Sequence, residues 1–215
     1  MSKLKAVIFD LDGTVANTIP LIIKSVQHAL EPLIDKTISD EEVVNTFGPS
    51  EVGTVIALAP NSIELGFQRY LEFYQKFHHM CPTPFNGIVE LLDFLRSNNI
   101  RIAMVTGKSK ESAIIDLELF GITHYFEMIE TGIPTRPSKP DALQRICDAM
   151  PDISSQEMIY VGDAPTDVGA SHQVSIPIVG AGWAKTTDLR ALEMAKPDYL
   201  FRTIPDFLKW LKGSI

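Results

Sequence analysis

Cysteine is scarce in this chain: Cys81 and Cys147 are the only two in 215 residues. They lie far apart, with no C-x-x-C spacing, which excludes a disulfide framework and a zinc-finger-type site. Free thiols of this kind predict a reducing, cytoplasmic setting. Positive charge is also short, with 19 Lys and Arg against 27 Asp and Glu and a net charge of −8. That balance argues against nucleic acid or an anionic membrane as a partner. No apolar run approaches the ~18 residues that signal a membrane-spanning helix. Met1 to Lys5 lead straight into an apolar strand signal, without the h-region of a secretory leader, so the chain reads as cytosolic. The five histidines, His28, His78, His79, His124 and His172, have no second histidine at i+3 or i+4 with which to share a metal. All five are assigned structural or surface roles. Internal repeats and low-complexity tracts are lacking too.

What remains is an ordinary globular composition, 45% hydrophobic and 21% charged. A chain of this length buries roughly 70% of its unfolded surface and needs no covalent or metal staple to fold. It reads as one large domain or a domain with an insertion.

Strand and helix signals alternate from about residue 81 onward. Ile88, Leu91, Leu92 and Leu95 have helical spacing behind Gly87. A strand is expected over 100–105, and a helix capped by Ser109 and ending before Gly121. Further strands are expected over 125–129, 158–161, 176–179 and 198–201. Helices are expected over 140–150, from about Pro165, and over 205–212. Pro177 within its run points to a strand toward a sheet edge. Repeated βα units imply a parallel sheet with helices on both faces.

Residues from about Thr18 to His79 break that rhythm and read as helical throughout. Ile19, Ile22, Ile23, Val26, Leu30 and Leu33 form one 3.6-period stripe. Phe67, Tyr70, Leu71, Tyr74 and Phe77 form another, and core packing is the expectation for both. Ser39-x-x-Glu42 is a capping box, with Gly48 placed to end the short helix it starts. Pro82, Pro84 and Gly87 suit a semi-rigid crossing back to the sheet.

Chemistry concentrates at four places. Lys5-Ala6-Val7-Ile8-Phe9 reads as a buried parallel strand and runs into Asp10-Leu11-Asp12-Gly13-Thr14. Two carboxylates two residues apart, followed by a Gly that allows a sharp turn, can converge beyond the strand end. Such a pair suits a hard cation and nucleophilic attack on phosphorus. The alternative is a polar Asp-Gly turn. A second apolar run ends in Thr106-Gly107-Lys108. Ser138-Lys139-Pro140 holds a lysine between a Ser and a Pro. A third run ends in Gly162-Asp163-Ala164-Pro165-Thr166-Asp167.

In that order, with these residues, the chain resembles the haloacid dehalogenase superfamily of aspartate-nucleophile phosphatases, over about Lys5 to Ile215. The resemblance implies a Rossmann-like α/β parallel-sheet core over residues 1–16 and 82–215. A small all-helical cap domain, residues 17–81, is then inserted after the first strand. It implies Asp10 as nucleophile and Asp12 as the acid and base. Thr106, Gly107 and Lys139 would hold the phosphate. Mg²⁺ would sit on Asp10, the backbone carbonyl of Asp12, and Asp163. Asp167 would act through water or as an orienting partner of Lys139. A small phosphorylated molecule is the implied partner, with the protein a monomer or homodimer.

Asp12 separates this chain from the dehalogenase and phosphonate-cleaving branches, which lack that second acid. A phosphomutase stays open, although the cap shows no mutase-like Arg signature. A catalytically silent binding module is unsupported, since every motif acid and Lys139 are present. Many capped members carry Asp where this chain has Asn17. A changed substrate or loop contact is expected there rather than lost catalysis.

Substrate selection is expected from Asn17, Gly48, Ser50 and Lys108. Phe47-Gly48-Pro49-Ser50-Glu51 is either the cap loop that faces the site or a helix-ending Gly-Pro turn. Similar Gly-Pro-Ser/Thr segments occur in phosphoglycolate phosphatases and in a bacterial pyrophosphatase group. Lys108 either approaches substrate or is solvated, and Trp183 either lines the site mouth or packs. A phosphoglycolate-like substrate is expected, with pyrophosphate as the alternative.

Overall fold

The computed structural model describes residues 3–214. Its centre is a sheet of six parallel strands. These are β1 (Ala6–Phe9), β2 (Arg101–Val105), β3 (Met128–Glu130), β4 (Met158–Gly162), β5 (Ile178–Ala181) and β6 (Tyr199–Phe201). Their spatial order is β3-β2-β1-β4-β5-β6. β1 is central, with Ile8 opposite Ala103 on one side and Tyr160 on the other. The chain builds outward from β1 first in one direction and then in the other. The crevice beyond its carboxyl end is therefore the switch point where open α/β sheets bind ligands.

Strand alternation divides the sheet's core in two. Val7 and Phe9 point into a cluster with Leu91, Leu95, Ile204, Phe207 and Leu211. Ala6 and Ile8 point into the other, with Leu143, Ile146 and Val168. Helices cover both faces, as the βα rhythm requires.

Four helices lie between β1 and the next part of the core: α1 (Ile19–Ile34), α2 (Asp40–Val44), α3 (Glu51–Leu58) and α4 (Ile63–Phe77). The two apolar stripes of α1 and α4 meet, burying Val26, Leu30, Tyr70 and Tyr74 in a third cluster. The capping box forms as expected. The Glu42 N–H donates to Ser39 Oγ at 3.2 Å, and the Ser39 N–H donates to Glu42 Oε2 at 2.8 Å. The helix it starts ends at Val44, where the Asn45 N–H bonds the Glu41 carbonyl, and Gly48 lies in the loop beyond. The rest of the core carries α5 (Ile88–Ser97), α6 (Lys110–Leu119), α7 (Lys139–Ala149), α8 (Pro165–Gln173), α9 (Leu189–Met194) and α10 (Ile204–Lys212).

Two expectations are corrected. Pro177 does not mark an edge, because β6 pairs with β5 on its outer side. The proline sits just before the strand, and its carbonyl accepts from the Tyr160 N–H at 2.9 Å. The strand expected over 125–129 begins only at Met128, because Thr123–Tyr125 close a 3₁₀ turn. The Phe126 N–H, bonded back to the Thr123 carbonyl, is used by that turn. Among the described residues, no helix is long and apolar enough to cross a membrane.

Candidate active site

Asp10 follows β1 directly and is 3% exposed. Its N–H donates to the Val161 carbonyl at 2.8 Å, so the ends of β1 and β4 are tied together. One carboxylate oxygen, Oδ2, lies 2.9 Å from Lys139 Nζ. The other, Oδ1, is buried and has no partner. Burial holds the Asp10 carboxyl well above the usual carboxylate range. Lys139 opposes that shift, while Asp167, Asp163 and Asp12 add to it.

The turn after Asp10 depends on Gly13, whose φ is +76°. A Cβ there would lie 2.2 Å from Asp163 Oδ2. Gly13→Ala therefore meets both a strained backbone and a collision with a site carboxylate. The expected cost is about 1–3 kcal/mol from the backbone alone. Chemical denaturation should show it, together with reduced turnover because Asp163 must move.

Asp163 directly follows β4, and Asp167 lies in the first turn of α8. Oxygens of Asp10, Asp163 and Asp167 lie within 4.8 Å of one another. Burial, with the neighbouring Asp167 charge next, pushes the Asp163 carboxyl up to about 7. Three convergent carboxylates, one with a buried orphan oxygen, fit a hard divalent cation completed by water and phosphate oxygens. The Asp12 side chain stands outside this cluster and faces elsewhere. Any contribution from Asp12 to such an ion would come from its backbone carbonyl, as the resemblance implies.

Asp167 also orients the phosphate-side lysine. Its Oδ1 accepts from Lys139 Nζ at 2.5 Å and from the Tyr160 hydroxyl at 3.0 Å. Its Oδ2 accepts from the Ala164 N–H at 3.0 Å. Lys139 opens α7, preceded by Ser138 and followed by Pro140 within the first turn. Burial works against its charge, but Asp10 and Asp167 outweigh burial and keep it protonated well above the usual lysine value. Thr106 is buried just past β2, where its hydroxyl accepts from the Lys108 backbone N–H at 3.2 Å. Gly107 lines the cavity next to it.

Lys108 is not a solvated lysine; it is 2% exposed. Its Nζ lies 3.2 Å from Asp12 Oδ1, 3.5 Å from Asp116 Oδ2 and 3.6 Å from Glu51 Oε1. It donates to the Tyr74 hydroxyl at 2.9 Å, which in turn donates to Asp116 Oδ1 at 2.8 Å. Burial opposes the Lys108 charge, yet Asp12, Asp116, Tyr70 and Glu51 together hold it well above the usual value. Asp12 also accepts from Thr18, and burial raises its carboxyl despite Lys108.

Glu51 and Asp116 are the functional residues that sequence reasoning missed. Glu51 opens α3 but serves α6: its Oε2 accepts the Ser109 N–H at 2.5 Å. Its Oε1 accepts from the Ser112 hydroxyl at 2.6 Å and the Tyr70 hydroxyl at 3.1 Å. Asp116 also bonds His78 Nε2 at 2.9 Å, so His78 has the structural role expected of it. A signal was present, since Ser109, Ser112 and Asp116 fall at i, i+3 and i+7 on one helix. That is a polar stripe on a face that packs inward.

A cavity of about 470 Å³ lies between the carboxyl ends of the strands and the inserted helices. Asp10, Asp12, Lys108, Lys139 and Asp163 line it, with Phe47, Gly48 and Pro49 from the loop before α3 and Glu51 from its first turn. Phe47 to Glu51 is therefore a site-facing loop. Two expected selecting residues do not line the cavity. Ser50 is buried, with its N–H bonded to the Ile133 carbonyl. Asn17 accepts from the Thr186 hydroxyl at 3.4 Å, and it is Thr186 that reaches the cavity. Trp183 packs, stacked on Phe207, and donates Nε1–H to the Thr14 carbonyl at 2.9 Å.

Acidic groups thus converge at the switch point of a parallel α/β sheet, beneath a helical layer. A sequence model described as haloacid dehalogenase-like hydrolase matches residues 7–181. The chain belongs to the haloacid dehalogenase-like hydrolase family and is a hydrolase. It is 29% identical over 209 residues to a pyrophosphatase, PpaX, of Bacillus pumilus, covering 96% of each chain. The fold is shared with a hydrolase from Pseudomonas syringae, with a TM-score of 0.79 at 20% identity over 97% of this chain and 98% of that one. It is also shared with a predicted phosphoglycolate phosphatase from Haemophilus somnus, with a TM-score of 0.76 at 22% identity over 98% and 99%.

Proposed function

We propose that this hydrolase is a Mg²⁺-dependent phosphatase that acts in the cytoplasm on a small phosphorylated molecule through an aspartyl-phosphate on Asp10. The observation that carries this reading is Asp10 itself. It stands at the switch point, one oxygen held by Lys139 and the other buried without a partner. A nucleophile needs a free oxygen and a fixed orientation, and Asp10 has both.

The contacts support a role for each residue on this reading. Asp10 attacks phosphorus as the bond to the leaving oxygen breaks. Asp12 gives that oxygen a proton, which its burial-raised carboxyl can carry. Asp12 then takes a proton from water as the water attacks the aspartyl-phosphate, releasing phosphate and restoring Asp10. Lys139, held by Asp167, neutralises charge on the phosphoryl oxygens. Gly107, which lines the cavity, and Thr106, buried beside it, would hold the same oxygens. Mg²⁺ held by Asp10, Asp163 and the Asp12 carbonyl would offset charge on the transferring phosphoryl group.

Pyrophosphate and phosphoglycolate are the first compounds to try, given the names of the relative and of the structural neighbour. Phosphate release should be measured with Mg²⁺ across these, sugar phosphates and nucleotides, with an EDTA control. EDTA should abolish release, and Mg²⁺ should restore it. Release that persists in EDTA would remove the metal from the mechanism.

A further inference from the structure

Part of the cavity lining is apolar. Ile19 and Ile22 reach it from α1, Val44 from the end of α2, and Phe47 and Pro49 from the loop that follows. Val44 is 44% and Phe47 38% exposed, so these two large side chains have apolar surface left uncovered beside the site. A ligand that covers them gains about 25 cal/mol for each Å² of apolar surface removed from water.

Cations are few. Among the described residues that line the cavity, only Lys108 and Lys139 carry positive charge. Lys139 is committed to Asp10 and Asp167. Lys108 is committed to Asp12, Glu51 and Asp116, three carboxylates around one ammonium. The N-terminus of α6, a natural anion site, is already filled by the Glu51 carboxylate on the Ser109 N–H. Asp188 adds another acidic group to the lining. A second anion on the leaving group would lose its water and meet apolar carbon, carboxylates and the neutral hydroxyls of Thr54, Thr166, Thr186 and Thr187, with no uncommitted cation among the described lining residues.

We propose that the substrate is a phosphomonoester whose leaving group is an uncharged alcohol with an apolar body, and not a second phosphate or a carboxylate. The proposal rests on the phosphatase reading above and names the substrate class for that site. Phe47 and Val44 are its specificity residues; they touch the leaving group and leave the phosphoryl chemistry alone.

The test compares kcat/KM for n-propyl phosphate, phosphoglycolate and pyrophosphate with Mg²⁺, in the wild type and in Phe47→Lys. Propyl phosphate and phosphoglycolate match in size and differ chiefly in the carboxylate. The wild type should favour n-propyl phosphate by about tenfold or more, the scale of an apolar-pocket discrimination. Phe47→Lys changes a partly exposed loop position, and it should move the ratio toward phosphoglycolate by a similar factor. A wild type that prefers phosphoglycolate or pyrophosphate, or a ratio near one, overturns the assignment while leaving the phosphatase reading intact. A Phe47→Lys ratio equal to that of the wild type overturns it as well. No release from any of the three, nor from sugar phosphates or nucleotides, overturns the phosphatase reading itself.

Discussion

Asp10→Asn should reduce phosphate release by at least about 10⁴-fold, the order of loss seen when a covalent nucleophile is removed from a catalytic unit. The amide keeps the shape of the side chain but cannot attack phosphorus. The fold should survive, and the variant should be as stable as the wild type or slightly more so. Asp10 is buried among Asp12, Asp163 and Asp167, and those neighbours push its carboxyl upward. Removing one acid from that crowd relieves repulsion, and Lys139 keeps Asp167 as its partner. A group that costs stability but is indispensable to turnover marks a functional site rather than a structural ion pair. Phosphate release and urea denaturation on the same preparation separate the two effects. Near-normal turnover in Asp10→Asn would exclude the covalent route.

The parts of this architecture that were legible in the sequence share one property: chemistry-bearing residues directly follow strand signals. Asp10 follows the run that becomes β1, Thr106 follows β2, and Asp163 follows β4. Because those three strands are neighbours and parallel, their trailing residues must converge. Lys139 was legible through Ser138 and Pro140, which start a helix beside it. The alternating core followed from the same apolar runs, since β1 is buried on both faces.

The lysine network was not legible because its partners are remote in sequence and look ordinary where they stand. Lys108 and Asp12 are 96 positions apart, and Lys108 and Tyr74 are 34 apart. Tyr70 and Tyr74 sit in a stripe that reads as core packing. They do pack, but their hydroxyls also serve Glu51 and Asp116. Asn17 and Ser50 show the converse. Both lie in segments that border the site, yet neither lines the cavity. Loop composition marks a segment as near a site without fixing which of its side chains enters. Pro177 differs for a related reason: the strand expected over 176–179 runs over Ile178–Ala181, a shift of two residues that leaves the proline just before it.

Lys108→Met should be the most destabilising single change at the site, by about 3–5 kcal/mol, the usual cost of stripping one partner from a buried ion pair. Methionine fills the volume but leaves Asp12, Asp116 and Glu51 facing one another without a cation. Tyr74 loses the ammonium that its oxygen accepts, although its own hydroxyl still bonds Asp116. Asp116 is fully buried, so its charge has no recourse to solvent. The double variant Lys108→Met/Asp116→Asn should therefore recover part of the loss, with a coupling of about 1–3 kcal/mol in a double-mutant cycle. Activity should respond differently from stability. Lys108 contacts Asp12, the proposed proton donor, whereas the phosphate side belongs to Lys139. Lys108→Met should lower kcat far more than it raises KM. Restoring stability through Asp116→Asn should not restore kcat, because Asp12 still lacks its cation. Urea midpoints and steady-state kinetics on the wild type, both single variants and the double variant test the whole chain of reasoning. Additive stabilities would show that the carboxylates do not depend on Lys108. Equal kcat values would show that Asp12 works without it. Loss of stability and loss of rate arise from the same 3.2 Å contact but through different partners, so the two measurements can fail independently.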